Sequence, residues 1–397
     1  MESELKSLTS NSTLQLDSVG RDGSNKDQRP LLKSDSSVSA TSVTVSSETL
    51  QDLEKKFPAY VRRDAYGTMG RGELPLSEKL LLALALVTLV PIRFVAGFLI
   101  LVLYYLICRF CTLFSAPNRE EDDQEDYAHM VGWRRATIVR SGRFLSRAML
   151  FVMGFYWIDE TYRIPRSNDK DADENECKGL SEESERPGAI ISNHVSYLDI
   201  LYHMSSSFPS FVAKRSVGKL PLVGLISKCL GCVYVQRESK SSDFKGVSGV
   251  VTERVRTAHQ NKLAPLMMLF PEGTTTNGDY LLPFKTGAFL SKAPVLPVIL
   301  RYPYKRFSPA WDSISGVRHV ILLLCQFVNH IEVTRLPIYD PSEQEKEDPK
   351  LYANNVRKLM ASEGNLTLSD IGLPEKRIYH AALNGNSLPS VLRQKDD

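Results

Sequence analysis

Apolar residues are concentrated in one long stretch from Leu80 to Cys108, which reads LLLALALVTLVPIRFVAGFLILVLYYLIC. Two apolar arms flank Pro91 and Arg93, and at about 1.5 Å per residue each arm is shorter than the roughly 30 Å hydrocarbon core of a bilayer. Either one span begins near Leu89 with Arg93 close to the membrane surface, or a hairpin bends at Pro91 and enters one leaflet. A pair of buried core helices is disfavoured because polar residues are so few. The pattern therefore predicts a transmembrane or re-entrant segment over 78–113.

A shorter apolar stretch, from Ala148 to Ile158, ends in aromatic residues and follows a basic segment. The basic side chains are Arg134, Arg135, Arg140, Arg143 and Arg147. Basic residues beside an apolar segment that contains tyrosine and tryptophan are typical of an element lying in a membrane interface. A helix packed on the adjoining domain explains the pattern equally well.

The pattern changes after Pro187, where short apolar runs alternate with segments of helical character. Runs of strand type occupy 188–192, 210–213, 232–235, 265–270, 295–300 and 320–328, and helix-like stretches occupy 199–206 and 246–259. This alternation predicts an α/β fold with a mixed, largely buried sheet flanked by helices. We place this domain at 130–340, after the N-terminal membrane-embedded helical segment.

Polar segments flank and interrupt the predicted domain. Residues 1–55 are rich in serine and lack the apolar core of a signal peptide, which predicts a disordered tail. An acidic stretch predicts a flexible insertion over 165–187. The last segment, 341–397, predicts an amphipathic helix near 351–362 followed by a tail.

Charge and cysteine content exclude some functions. The chain has 49 Lys+Arg against 46 Asp+Glu, a net charge of +3, and no basic stripe interleaved with aromatic residues, so nucleic acid is not an expected partner. Cys229-Leu-Gly-Cys232 is a single C-x-x-C motif without a second pair, which does not favour zinc. We expect reduced thiols and no metal site.

Candidate chemistry follows the first strand-like run, where the chain reads GAIISNHVSYLDI over 188–200. His194 and Asp199 are five residues apart, and helix neighbours are three or four apart, so a contact requires His194 on the turn before the helix. An imidazole can take the proton of an attacking hydroxyl near neutral pH, and a carboxylate on its other nitrogen fixes the tautomer and stabilises the imidazolium. The structural alternative is that Asp199 belongs to a helix-capping box with Ser196.

Three further motifs follow: GCVYVQR ending at Arg237, FPEGTTTN containing Glu272, Gly273 and Thr274, and VLPV beginning at Val295. Together with NHVSYLD, and in this order, they resemble the four sequence blocks of the glycerolipid acyltransferase family. The resemblance implies an α/β acyltransferase domain in which His194 is the base, Asp199 orients it, and Arg237 with Glu272–Thr274 binds the acceptor.

The resemblance also implies acyl-CoA as co-substrate and no further cofactor. Lys214 and Lys285 are candidates for contacts to the CoA phosphates, although such lysines equally form a solvated or lipid-facing rim. Many family members carry arginine after EGT, where this chain has Thr275, and one cation fewer suits an acceptor whose phosphate is a diester. The FPEGTTTN form resembles the branch, with plant members, that acylates lysophosphatidylethanolamine and lysophosphatidylcholine.

By this resemblance the chain is expected to be an acyl-CoA-dependent lysophospholipid acyltransferase with lysophosphatidylethanolamine as the favoured acceptor. The expected partners are acyl-CoA, the lysophospholipid and a membrane. The expected location is the endoplasmic reticulum membrane, since Arg393 and Lys395 loosely resemble a dibasic retrieval signal. Alternatives are a lysophosphatidic acid acyltransferase, a hydrolase that transfers the acyl group to water, and a non-enzymatic lipid-binding protein on the same fold.

Overall fold

A computed structural model describes residues 47–121, 124–163, 186–235 and 242–384. Most of the predicted tail, nearly all of the acidic insertion over 165–187, the last residues of the chain and Arg237 lie outside these ranges. The predicted tail is wrong at its C-terminal end, because Ser47–Lys56 form a helix. Leu53 of this helix packs on a cluster containing Phe57 and Tyr60, which accounts for its order.

A seven-stranded mixed sheet forms the centre of the domain, with strand order β3-β10-β9-β4-β7-β5-β6. Strands β4, β5, β6, β7 and β9 are parallel to one another, while β10 is antiparallel to β9 and parallel to β3. The strands are β3 (Asp159–Tyr162), β4 (Ala189–Ser192), β5 (Ser210–Lys214), β6 (Val233–Val235), β7 (Met267–Leu269), β9 (Val295–Arg301) and β10 (Glu332–Arg335). Two small sheets pair β1 (Asn118–Glu121) with β2 (Gln124–Asp126), and β8 (Tyr280–Leu281) with β11 (Thr367–Leu368).

Helices cover both faces of the sheet. In the described part of the chain they are α1 (Ser47–Lys56), α2 (Leu76–Cys111), α3 (Gly132–Val152), α4 (Leu198–Ser206), α5 (Val223–Leu230), α6 (Ser242–Gln260), α7 (Gly316–Leu324), α8 (Glu343–Glu347), α9 (Pro349–Gly364) and α10 (Leu373–Leu383). Successive residues of β4 point to opposite faces, so Ile190 joins the apolar cluster that contains α3 and α4 while Ala189 and Ile191 join the one that contains α6 and α9. The predicted mixed and largely buried sheet is confirmed.

The predicted strand at 320–328 is wrong, because its first half belongs to helix α7, Gly316–Leu324. A short apolar run bounded by turns fits a buried strand and a buried helix equally well by periodicity. The helix buries His319 and Leu323, which are one turn apart on one face, and Leu324 next to them.

The long apolar segment is one continuous helix, α2, and the predicted hairpin at Pro91 is wrong. Proline removes one backbone donor, and α2 passes through this position without ending. By length and composition this is the helix of the described ranges that could cross a membrane. Its outer side exposes large apolar side chains, among them Leu84, Val87, Phe94, Phe98 and Phe110.

Arg93 is buried within the protein, since only 5% of it is exposed. Its guanidinium donates to the carbonyl oxygens of Leu324 (3.0 Å), Gln326 (2.5 Å) and Phe327 (3.1 Å), and to the hydroxyl of Tyr156 (3.0 Å). Leu324 is the last residue of α7 and the other two carbonyls follow it, at the end where an α-helix leaves acceptors without an intrahelical partner. Arg93 therefore holds α2 against the α/β domain.

The apolar stretch at 148–158 includes the end of α3, which packs against both α2 and α4. The same helix exposes Trp133, Phe144 and Phe151 on its other side, and Trp157 is exposed just beyond it. The core-helix alternative is confirmed on one face of α3, while the other face remains an apolar surface next to that of α2.

Candidate active site

His194 lies on the loop between β4 and α4, at the carboxyl edge of the parallel strands. Strand β7 is the parallel neighbour of β4, so the FPEGTTTN loop leaves the sheet at the same edge. In α/β folds, ligands bind at this edge, where loops from adjacent strands meet. The topology thus brings together two motifs that are almost eighty residues apart in sequence.

Asp199 contacts the imidazole as its spacing predicts. The His194 Nδ1 and Asp199 Oδ2 atoms are 2.9 Å apart, and α4 begins only at Leu198, which leaves His194 on the turn before it. The Asp199 side chain is 0% exposed and that of His194 is 20% exposed, so the ring has an accessible edge. With Nδ1 occupied by the carboxylate, Nε2 is the nitrogen available to a substrate hydroxyl.

The capping box of Ser196 and Asp199, the structural alternative, forms only in part: Asp199 Oδ2 accepts the backbone N–H of Ser196, but the Ser196 hydroxyl does not cap the helix in return. Tyr197 is the residue that precedes α4, it makes no side-chain cap, and the buried Ser196 Oγ has no partner among the described residues. Asp199 nevertheless has a structural role, because Oδ2 also accepts the backbone N–H groups of Val195 (2.8 Å) and Ser196 (3.0 Å). The carboxylate holds the loop and the imidazole at once.

The imidazole is held from its face as well as from its edge. The ring of Phe270, the residue that follows β7, lies 4.1 Å from the His194 ring, centroid to centroid, with 17° between the planes. A stacked neighbour restricts rotation of the imidazole about its side-chain torsions, which keeps Nδ1 on Asp199.

Glu272 lies beneath the His194 loop and is buried. Its Oε1 accepts the backbone N–H of His194 at 2.7 Å and its Oε2 accepts that of Leu282 at 2.9 Å. Burial raises the pKa of Glu272 to about 8, although both N–H donors favour the charged carboxylate. Both oxygens accept from the backbone, an arrangement that holds the His194 loop, and the binding of acceptor by Glu272 stays a prediction.

Gly273 turns the loop with a backbone φ of +71°, which glycine adopts without strain. A Cβ at this position would come within 2.6 Å of the Lys285 Nζ, so Lys285 lies directly against the glycine. Thr274 is the next residue of the loop and is partly buried. The structure therefore brings Glu272, Gly273, Thr274 and Lys285 together next to His194.

Lys214 is exposed at the end of β5, on the same edge of the sheet. It pairs in register with Val235, the last residue of β6, and Arg237 follows two residues later outside the described ranges. Two inter-strand spacings separate β5 from β4, which puts Lys214 on the order of 10 Å from the His194 strand. The binding roles of Lys214 and Arg237 stay predictions.

Sequence reasoning missed two elements that hold the FPEGTTTN loop from behind. Lys376 of α10 donates to the backbone oxygen and to Oγ1 of Thr275, both at 2.7 Å, and burial lowers the pKa of this lysine to about 8. Residues 57–64, here called the N-terminal strap, accept from Asn277: its Nδ2 donates to the carbonyls of Pro58 (2.9 Å) and Val61 (3.0 Å).

A buried arginine fixes the N-terminal strap in turn. Arg62 donates to the carbonyls of Ser308 and Ala310, the latter at 2.8 Å, and pairs with Asp64 and, at 3.3 Å, with Asp312. Paired and hydrogen-bonded charges of this kind are the form in which ions are tolerated in protein interiors. The FPEGTTTN loop is therefore held by elements near both ends of the described chain.

The comparisons with known proteins agree with this geometry. A family model described as Acyltransferase matches residues 174–301. In an alignment 405 positions long that covers 97% of each protein, the chain is 65% identical to the lysophospholipid acyltransferase LPEAT1 of Arabidopsis thaliana. The chain belongs to the acyltransferase family. This acyltransferase has the α/β acyltransferase domain that the four motifs predict, and that prediction is confirmed.

More distant relatives match the same enzyme. It is 32% identical over 308 residues to lysophosphatidylcholine acyltransferase 1 of Danio rerio, covering 77% of this chain and 54% of that protein. The human lysophosphatidylcholine acyltransferase 1 is 32% identical, with 75% and 51% covered, so the alignments span about half the length of these animal relatives. The crystal structure of the 1-acyl-sn-glycerophosphate acyltransferase PlsC from Thermotoga maritima is 16% identical, with 70% of this chain and 100% of that chain covered and a TM-score of 0.39.

Proposed function

We propose that this acyltransferase transfers a fatty acyl chain from acyl-CoA to the free hydroxyl of a lysophospholipid, with lysophosphatidylethanolamine as the favoured acceptor. The observation that carries the proposal is the contact of His194 with the fully buried Asp199. This pair lies at the carboxyl ends of the parallel strands, where the accessible edge of the imidazole can meet substrate. The relatives named above support a lysophospholipid as the acceptor class.

The proposed reaction needs no covalent acyl-enzyme. His194 Nε2 removes the proton of the lysolipid hydroxyl as its oxygen attacks the thioester carbonyl, while Asp199 stabilises the imidazolium through Nδ1. The carbon–sulfur bond then breaks, and the departing CoA sulfur takes the proton from Nε2. The base is regenerated, and the products are the phospholipid ester and the free thiol of CoA.

The proposed contacts for the phosphate groups of the substrates are cationic side chains near the carboxyl ends of the parallel strands. Lys285 lies against Gly273 next to the base, and Lys214 lies farther along the strand edge, so both suit the phosphates of CoA or of the acceptor. Arg237 is proposed to bind the acceptor phosphate because its guanidinium matches two phosphate oxygens. The Thr275 hydroxyl donates to Trp311 O at 2.6 Å and accepts from Lys376 at 2.7 Å, so it is engaged within the protein, which accords with an acceptor that carries a single diester charge.

An acceptor panel tests this proposal. Purified enzyme with one acyl-CoA should release CoA thiol fastest with lysophosphatidylethanolamine, more slowly with lysophosphatidylcholine, and slowest with lysophosphatidic acid. Preference for lysophosphatidic acid would establish the alternative acceptor class. Free fatty acid formed without any acceptor would show a hydrolase, and lysolipid binding without thiol release would show a binding protein.

We propose that the enzyme attaches to one leaflet of the endoplasmic reticulum membrane through α2 rather than spanning it. Helix α2 contacts the catalytic domain from its first turn, where Glu78 accepts from Arg306 and Tyr66, to the buried Cys111 at its end. This length is about 50 Å at 1.5 Å per residue, longer than the roughly 30 Å hydrocarbon core. A perpendicular span would therefore carry the polar domain into the bilayer with it.

Cysteine accessibility distinguishes the two orientations. Ser77, at the start of α2, and Ala116, just beyond its end, are both exposed. The Ser77→Cys and Ala116→Cys variants are each expressed in separate sealed microsomes. A membrane-impermeant maleimide should label both from the outside, since both ends lie on one side. Labelling of one position only, with the other labelled after the vesicles are opened, would establish a span.

A further inference from the structure

The Asp199 carboxylate has a partner that the proposed mechanism does not use. The hydroxyl of Tyr302 donates to Asp199 Oδ1 at 2.6 Å, and Tyr302 is buried. The other oxygen, Oδ2, accepts from His194 and from two backbone N–H groups. Oδ1 accepts from Tyr302, which follows strand β9, whereas Oδ2 accepts from the loop between β4 and α4.

Strand β9 carries Tyr302 to this position. It runs parallel to β4, with Val298 in register with Ser192, and Tyr302 is the first residue after it. The Asn193 side chain ties the two strands together, since Nδ2 donates to Leu300 O at 2.9 Å and Oδ1 accepts from Leu300 N at 2.8 Å. The distance from the His194 loop to the tyrosine is thereby fixed by the backbone.

Packing fixes the direction of the tyrosine ring as well. Its ring meets that of Phe155 edge to face, with centroids 5.9 Å apart and planes at 74°. Burial raises the pKa of Tyr302 well above its usual value, as does the nearby Asp199, so the hydroxyl keeps its proton and stays a donor. A hydroxyl-to-carboxylate bond of this length, out of contact with water, is in the strong class of protein hydrogen bonds.

We propose that Tyr302 is a positioning residue that sets the orientation and basicity of Asp199 and, through it, the proton affinity of His194. This proposal rests on the proposed role of His194 as base. Without the tyrosine hydroxyl, Oδ1 has lost its donor, and the carboxylate no longer fixes the orientation of the imidazole toward substrate as closely. It also becomes a stronger acceptor, because a donor that shared its charge is gone, and it then stabilises the imidazolium more.

Tyr302→Phe removes the hydroxyl and keeps the ring. We expect kcat to fall about tenfold with KM within about twofold, since one charge-assisted hydrogen bond is lost away from bound substrate. The acidic limb of the kcat profile should move to higher pH by about half a unit, because a better stabilised imidazolium holds its proton longer. Tyr352→Phe is the matched control, since this buried hydroxyl donates to Ala293 O at 3.0 Å away from the site, and its pH profile should match the wild type.

Two further variants separate positioning from a loss of fold. 3-Fluorotyrosine at position 302 keeps the hydroxyl and makes it a stronger donor, so the acidic limb should move the opposite way, to lower pH. In an Asp199→Asn background, Tyr302→Phe should change kcat by less than about twofold, since residues that act through one partner are not additive.

The proposal is overturned if Tyr302→Phe enzyme keeps the wild-type kcat and pH profile. If the phenylalanine variant does not fold, the same result with the fluorinated enzyme overturns it. It is also overturned if Tyr352→Phe shifts the profile equally. Inactive His194→Ala protein together with an unchanged Tyr302→Phe profile would remove this inference and leave the proposed base in place. An active His194→Ala protein would remove the proposed base itself.

Discussion

Replacement of His194 by alanine is expected to lower the rate of acyl transfer by at least about 100-fold, the low end for loss of a general base. The lysolipid hydroxyl then attacks without a group to take its proton, and water cannot replace an imidazole fixed between Asp199 and the Phe270 ring. CoA thiol release with saturating acceptor measures the effect.

His330→Ala is the matched control for this change. His330 is exposed on the loop before β10, with strand β9 between β10 and the strand that leads to His194, and its loss should leave the rate within about twofold. The assignment of His194 as base would be disproved by His194→Ala enzyme that retains more than a tenth of wild-type thiol release while melting at the wild-type temperature.

Replacement of Glu272 by alanine is expected to lower both the stability and the turnover of the enzyme. The N–H groups of His194 and Leu282 lose their acceptor in a buried environment, at about 1–3 kcal/mol for each unsatisfied group. The freed His194 backbone lets the imidazole leave Asp199, so kcat should fall by at least about tenfold. Thermal melting in detergent and the kcat of the folded fraction measure the two effects separately.

The effect on stability should depend on pH in a defined direction. Burial raises the pKa of Glu272 to about 8 in the folded enzyme, whereas an exposed glutamate titrates near 4.3. The folded state therefore binds this proton more tightly, and the resulting stability is complete below about pH 4.3 and lost as the pH rises through about 8. The difference in melting temperature between wild type and Glu272→Ala should shrink from pH 6 to pH 9.

Glu345→Ala is a suitable control, because this buried carboxylate accepts from Ser342 N (2.8 Å) and Tyr339 OH (2.6 Å) away from the site. It should lower the melting temperature and leave the kcat of folded enzyme unchanged. Equal kcat losses in the two variants would mean that Glu272 has no specific hold on the base.

The parts of the site that sequence predicts correctly are local. His194 and Asp199 lie five residues apart on one loop, so their contact follows from spacing once the strand before them is recognised. Five of the six predicted strands are apolar runs long enough to cross a buried sheet, and they form. The contacts of Arg93 to carbonyls more than 200 residues away could not be predicted, because no local pattern shows them.

The parts that sequence misses depend on distant partners. Tyr302 is 103 residues from Asp199, Lys376 is 101 from Thr275, and the strap carbonyl of Val61 is 216 from Asn277. Hydrophobic periodicity reports only which face of an element is buried, and it does not report which polar atom a buried side chain will meet. Such contacts can be predicted only when the register of the sheet is known. The two hydrogen bonds between the Asn193 side chain and the Leu300 backbone are an example.

The N-terminal strap bears on how a detergent-free preparation of this enzyme could be engineered. A fragment that begins after Cys111 would discard the apolar helix and the strap together, and Asn277 would keep neither of its carbonyl acceptors. Solubilising substitutions on the outer side of α2, at exposed positions such as Leu84 and Phe98, leave those acceptors in place. Redesign of the exposed surface of α2 therefore preserves the FPEGTTTN loop, whereas removal of the N-terminal residues does not.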